Sequence, residues 1–227
     1  FLENIGKNVQ VDIFFHHFNF QFFFFFFAEN NGNYTKYIIM PTAFEEAHTT
    51  IKSLPVNDVY ILDQTNSELF SYPSIHQNFI QNIYDGLLEG KSRLDKYKKL
   101  IIIFPGFREP LGMKIGFLNF CKDFGFEHEV ITEFKHRSIK PGEVYVIPSD
   151  RDLVRVIEKA KSQQLTIGQD YGIISYNETP LKKIVENGIT TISTDFEQMG
   201  KILAEMILKG RKEQIENTCK LLLRSSL

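Results

Sequence analysis

Apolar residues along this chain fall into two recurring patterns. Short continuous runs occur at Val11 to Phe15, Tyr37 to Met40, Val59 to Leu62, Leu100 to Phe104, Val144 to Ile147 and Gly172 to Ser175. Runs of that length read as strands covered on both faces, as in a parallel sheet. Between them, apolar positions return every three or four residues. Phe44, Ala47, Ile51 and Leu54 follow this spacing, as do Ile80, Ile83, Leu87 and Leu88. Met113, Phe117, Phe120 and Phe124 mark another helix, entered through Pro110, a residue tolerated in a first turn. Leu153, Val156, Ile157 and Ala160 follow Ser149-Asp150, which suit a helix cap. Phe196, Met199, Leu203, Met206 and Ile207 line a last long helix that Asp195 can cap and Gly210 ends. Strand and helix alternating in this way predict an α/β fold, with parallel sheets and helices on both faces.

One stretch fits neither pattern. Phe18 to Phe27 contains six consecutive phenylalanines, Phe22 to Phe27. It is shorter than the roughly 20 apolar residues that cross a bilayer. It is also apolar on every side, unlike an amphipathic helix. It reads as a buried helix or as an anomalous stretch, and no function is assigned to it. The charge-rich run Lys91 to Lys99 stands before the strong strand that ends at Phe104, and a boundary between two lobes is placed there. No repeat of 20 to 50 residues stands out, which argues against a solenoid.

The 227 residues suffice for two lobes, and the formal net charge is -2. A domain that grips nucleic acid itself usually carries a basic excess. If the whole protein binds DNA, another segment must do so. Cys121 and Cys219 have no short spacing, so they form neither a disulfide framework nor a zinc site, and they suit a reducing cytoplasm. The opening Phe1 to Lys7 reads as the last turns of a helix, so the chain is expected to continue a longer protein. No secretory signal pattern opens it.

Several chemistries fail on geometry. Gly106 to Lys114 has glycines one residue too far apart for a phosphate loop, and no Ser or Thr follows Lys114. Such a loop works by aiming backbone N–H groups at phosphates, so its spacing is fixed. His16 and His17 would point to opposite faces of a strand and cannot easily share one ion. Asp150 and Asp152 at a helix start suit capping and the helix dipole better than acid–base work. No nucleophile motif, dinucleotide fingerprint or H-E-x-x-H is present. The expectation is a protein that is not an enzyme, with no catalytic residues, metal or cofactor.

The final third carries the strongest signal. Asp170-Tyr171-Gly172-Ile173-Ile174-Ser175-Tyr176-Asn177-Glu178-Thr179-Pro180-Leu181 precedes Gly188-Ile189-Thr190-Thr191-Ile192-Ser193-Thr194-Asp195-Phe196-Glu197-Gln198-Met199-Gly200. This resembles the effector domain of the lactose/galactose repressor family, with its strand, acidic or amide pair, proline turn, L-T-T-I stretch and acidic helix start. Leu221 to Ser226 resembles the family's last strand. Upstream, Pro73 to Asn78 resembles the segment ending in a ligand-facing Asp, here Asn78. Met113-Lys114-Ile115-Gly116-Phe117 resembles R-x-x-G-F, with Met113 in the arginine position. Pro148-Ser149-Asp150 resembles an Asn-Asp pair. The wording is closest to a Bacteroides-type subgroup that joins this sensor to a winged-helix head of the gluconate-repressor class, with L-fucose as a candidate sugar.

The resemblance implies a two-lobed, periplasmic-binding-protein-like fold of type I, each lobe a doubly wound parallel sheet. One lobe would hold residues 1–97 plus 195–212 and lack its first strand. The other would hold 98–194 plus 213–227. The DNA-binding domain would lie outside this chain. The implied function is a cytoplasmic regulator's sensor. It would bind a monosaccharide or sugar phosphate between the lobes, change their angle, and act as a homodimer on DNA, with no membrane contact. The alternative is a periplasmic sugar-binding protein of a transporter; a sugar-modifying enzyme is a weaker third.

Ligands of doubly wound sheets lie beyond the carboxyl ends of the strands. The candidate ligand-binding residues there are Asn78, Arg108, Lys114, Asp150, Asn177 and Glu178. Amides and carboxylates pair with adjacent sugar hydroxyls, while Phe15, Phe107 and Tyr176 would cover the sugar's C–H face. Plainer readings stand beside these. Asn177 in Asn177-Glu178-Thr179-Pro180 equally suits a turn, and Asp150 suits a cap.

Overall fold

The computed structural model describes the whole chain except residues 42–46, 107–108 and 136. Phe44, Phe107 and Arg108 therefore lie outside the described residues. The chain divides into two compact units, Phe1–Gln77 with Asp195–Thr218, and Asn78–Thr194 with Cys219–Leu227.

In the first unit, helix α1 (Phe20–Asn30) begins where the Asn19 side chain accepts from the Gln21 and Phe22 amides. Strand β1 (Tyr37–Ile39), helix α2 (Ala47–Ile51), β2 (Val59–Asp63) and β3 (Ser74–His76) follow, and the unit resumes with α7 (Phe196–Lys209) and β9 (Gln214–Glu216). The sheet runs β1-β2-β3-β9, all parallel. Alternation along β2 sends Val59 and Ile61 to one face with Phe23, Ile51, Leu54 and Leu69. Tyr60 goes to the other, with Ile75, Met199, Leu203 and Met206. The phenylalanine run is thus a helix with one buried face: Phe23 is buried, while Phe22, Phe24 and Phe25 are exposed. Val11 to Phe15 forms no strand. No strand among the described residues pairs with it, Ile13 and Phe15 are exposed, and Phe14 packs on the Phe26 ring.

The second unit contains α3 (Phe79–Glu89), α4 (Lys91–Leu94), β4 (Lys99–Ile103), α5 (Leu111–Phe124), β5 (Glu127–Ile131), β6 (Glu143–Ile147), α6 (Asp150–Ser162), β7 (Gly172–Tyr176), β8 (Thr190–Thr194) and β10 (Cys219–Leu222). Its sheet order is β10-β8-β7-β6-β4-β5, parallel except for β10 against β8. One face packs Leu100, Ile102, Val144, Val146 and Ile174 under α3 and α5. The other packs Ile101, Ile103, Tyr145, Ile147 and Ile173 under α6.

The division at Gln77/Asn78 corrects the boundary expected near residue 97, because α3 belongs to the second unit. Its seat is built by glycines: a Cβ on Gly116 of α5 would lie 2.2 Å from the Ile80 carbonyl oxygen, and one on Gly86 of α3 would lie 2.6 Å from Ile192. Only bare backbone lets these elements approach so closely. The last crossing falls at Thr218/Cys219 instead of 212/213. The terminal strand starts at Cys219, paired with Thr194, two residues before the expected Leu221.

Candidate functional site

The carboxyl ends of β6 and β7 in the second unit carry the polar constellation. Asp150 opens α6 directly after β6, and Ser149 stands at the N-cap with no side-chain cap bond. Beyond β7, Asn177 adopts φ 61°, a left-handed conformation that asparagine tolerates better than most residues. Its N–H donates to the Ile192 carbonyl at 2.8 Å. Its own carbonyl accepts from Lys182 Nζ at 2.8 Å. The Lys182 side chain is 4% exposed and also reaches Asp150 Oδ1 at 2.8 Å, with Asp150 67% exposed. A third bond runs from Nζ to the Tyr176 carbonyl at 3.0 Å. The Asn177 Oδ1 atom is buried with no hydrogen-bond partner among the described residues; such an acceptor costs roughly 1–3 kcal/mol unless a ligand or water donates to it.

Glu178 points the other way chemically. Arg224 donates to both its oxygens, at 2.9 and 3.0 Å, and Thr191 Oγ1 donates at 2.5 Å. Burial opposes its ionisation, but the bonds from Arg224 and Thr191 prevail and hold the carboxyl below its ordinary value. Its backbone N–H donates to Ser193 Oγ at 2.9 Å. The residue ties the loop after β7 to the tail after β10.

The remaining candidates stand on other elements. Asn78 caps α3, its Oδ1 accepting from the Gln81 amide at 3.2 Å; it is the first residue of the second unit, not part of the first lobe. Lys114 sits half-buried in the first turn of α5, and Met113 is a core residue. Phe15 is exposed in the first unit. His16 and His17 lie in a turn, not at a strand end, and His16 Nδ1 accepts from the Phe18 amide at 3.1 Å. Among the described residues no His, Cys, Asp and Glu cluster could hold a metal, and no helix is long and apolar enough to cross a membrane. The residues given no role from the sequence are Lys182, Thr191, Ser193 and Arg224; the last three lie within the quoted stretches, and Lys182 stands just outside them.

A cavity of about 590 Å³ lies at the other, amino-terminal edge of the same sheet, lined by Lys98, Lys99, Glu129, Arg137, Lys140 and Glu143. Its charges are largely matched internally, Arg137 to Glu129 at 2.7 Å and Lys99 to Glu129 at 3.0 Å.

A sequence family described as a periplasmic binding protein-like domain matches residues 118–226. The HTH-type transcriptional regulator KdgR of Bacillus subtilis (strain 168) is 32% identical over 81 residues, covering 33% of this chain and 24% of that protein. The match thus spans about a quarter of that curated relative. A LacI family transcriptional regulator from Lactobacillus casei, solved with bound glucose, superposes with a TM-score of 0.77 at 14% identity over 100% of this chain and 93% of its own. One from Silicibacter pomeroyi gives 0.77 at 11% identity, covering 96% and 87%. One from Enterococcus faecalis V583, with bound ribose, gives 0.66 at 17% identity, covering 89% and 80%. The fold is periplasmic-binding-protein-like. These structural neighbours are transcriptional regulators.

Proposed function

We propose that this chain is the ligand-sensing domain of a transcription regulator and that it binds a monosaccharide at the carboxyl edge of the second unit's sheet. The observation that carries the reading is the pairing of Asn177 and Asp150 on Lys182, with the Asn177 amide oxygen buried and unpartnered. Each sugar hydroxyl brings one O–H donor, so two adjacent hydroxyls can satisfy such an acceptor and a neighbouring carboxylate together. Neighbours solved with glucose and ribose support the ligand class, and the regulator similar in sequence supports the role. Asn78 and Lys114 belong to the proposed site with less structural support, and so does Arg108, which lies outside the described residues. Glu178 belongs to its scaffold. L-fucose and phosphorylated sugars are the finer candidates. DNA contact through another segment, homodimerisation and a cytoplasmic setting complete the proposal.

Calorimetric titration against D-glucose, D-ribose, L-fucose and their phosphates tests it. Asn177→Ala is expected to weaken binding by at least about tenfold, or roughly 1.4 kcal/mol, with the fold intact. Lys161→Ala, on the exposed end of α6, should change little. Equal affinity in Asn177→Ala and the parent would move the site elsewhere. No binding of any sugar at millimolar concentration would remove the sensor reading.

A further inference from the structure

Lys182 is a buried lysine in a segment, Leu181–Lys183, that otherwise looks like solvated loop. An ammonium has three protons to donate and no capacity to accept. Burying it without partners is costly, so each proton needs an acceptor. Here the three acceptors are the Tyr176 carbonyl at 3.0 Å, the Asn177 carbonyl at 2.8 Å and Asp150 Oδ1 at 2.8 Å. All three belong to the two strand ends that carry the candidate site. The Asn177 backbone stands at φ 61°, a conformation that persists in a non-glycine residue only where its surroundings hold it.

We infer that Lys182 is a positioning residue: it locks Asn177 in the left-handed conformation and fixes Asp150 beside it, presenting one amide oxygen and one carboxylate oxygen to a hydroxyl-bearing ligand. The inference rests on the proposed sugar site but makes a claim about the protein without ligand as well. With its three protons engaged, the ammonium supplies no further donor, so the ligand must bring the donors itself. A polyol does so, whereas an anion offers Asn177 Oδ1 and Asp150 only repulsion. These two residues thus take sugar hydroxyls and not a phosphate group, whether or not the sugar carries one elsewhere. Charge also matters less than shape. An arginine keeps the positive charge, but its planar fork cannot replace three converging point contacts.

The test uses the 227-residue chain with Lys182→Met and Lys182→Arg. Without ligand, backbone carbon chemical shifts of Asn177 report the sign of φ. The parent should show the left-handed value, and both variants should revert to a negative φ. With ligand, titration of D-glucose, D-ribose and L-fucose should show a loss of at least about tenfold in both variants. In the Asn177→Ala background the same Lys182 changes should cost less than in the parent, because Lys182 then acts through Asp150 alone. Asp150→Ala, an exposed change that should not unfold the unit, frees one ammonium proton, so exchange of the Lys182 Nζ protons with water should accelerate. Retention of positive φ at Asn177 in the Lys182 variants would overturn the inference. So would losses that multiply in full with Asn177→Ala, or Nζ exchange unchanged by Asp150→Ala if the Lys182 variants fail to fold. If no sugar binds the parent, the sensor reading fails, while the ligand-free shifts still decide the role of Lys182.

Discussion

Replacing Arg224 with alanine removes both hydrogen bonds to Glu178 and a third to the Ile189 carbonyl at 2.7 Å. Glu178 is left as a carboxylate 18% exposed, against 21% for Arg224, with Thr191 as its remaining side-chain donor. An exposed ion pair contributes about 0.2–1 kcal/mol, and breaking a fully buried one costs about 3–5 kcal/mol. This pair is mostly buried but still reached by water, so the expected loss is about 2–3 kcal/mol. For a chain of this length each kcal/mol lowers the melting temperature by about 2–4 °C, which gives a drop of several degrees in a circular-dichroism melt. Glu178→Gln should cost less, and the double variant should fall short of the sum by at least about 1 kcal/mol, since both changes break one interaction. Because the folded carboxyl titrates below its ordinary value, the pair's contribution is fully present above the unfolded pKa. It is lost as pH falls through the folded one. The gap between parent and Glu178→Gln should therefore hold near neutrality and close in acid. A Glu178→Gln protein with parental stability and at least about tenfold weaker sugar binding would refute the scaffold role and make Glu178 a ligand contact.

Two further changes probe the second unit. Gly116→Ala pushes a methyl group to 2.2 Å from the Ile80 carbonyl oxygen and should destabilise by roughly 1–3 kcal/mol; an unchanged denaturant midpoint would contradict the close seating of α3 on α5. Glu129 is held down at about 2, first by Arg137 and then by Lys99, against an opposing effect of burial. Its stabilisation should be complete at neutral pH and fade as pH falls towards about 2, so Glu129→Gln should be less stable than the parent at pH 7 and match it near that limit.

The legible parts of this fold are those whose own residues announce their burial. Strands β2, β4, β6 and β7 sit inside their sheets and are written as apolar runs, so the sequence pattern finds them within a residue or two. Strand β8 is equally interior, but Thr190, Thr191 and Thr194 are buried within it, and three hydroxyls hide a strand from any hydropathy pattern. Strand β5 lies at the sheet edge, where Glu127 and His128 stay exposed, while β3 and β9 are three residues each. The apolar run at Val11 to Phe15 misleads for the converse reason: composition permits a strand, and no described strand pairs with it. Helix α3 is plain in its 3.6-residue period, yet nothing in that period says which sheet it covers. That information resides in Gly112 and Gly116 of α5 and in Ile192 of β8, which are remote in sequence.

The same division runs through the candidate site. Its location is readable because Asp150 and Asn177 follow the two most legible strands of the second unit, and strand ends are where a doubly wound sheet exposes polar groups to ligands. The role of each side chain is not readable, because it depends on what arrives from elsewhere. Asn177 and Glu178 are adjacent and equally polar on paper. Arg224, 46 residues away, engages both oxygens of Glu178, and no described residue engages the amide oxygen of Asn177. A lysine that composition would place in water, Lys182, instead bonds the Tyr176 and Asn177 carbonyls and Asp150. Two neighbours that look interchangeable thus separate into scaffold and candidate contact through partners that no local motif encodes. Paired Glu178→Gln and Asn177→Ala variants, compared for stability and for sugar affinity, should separate in the same way: the first losing mainly stability, the second mainly affinity.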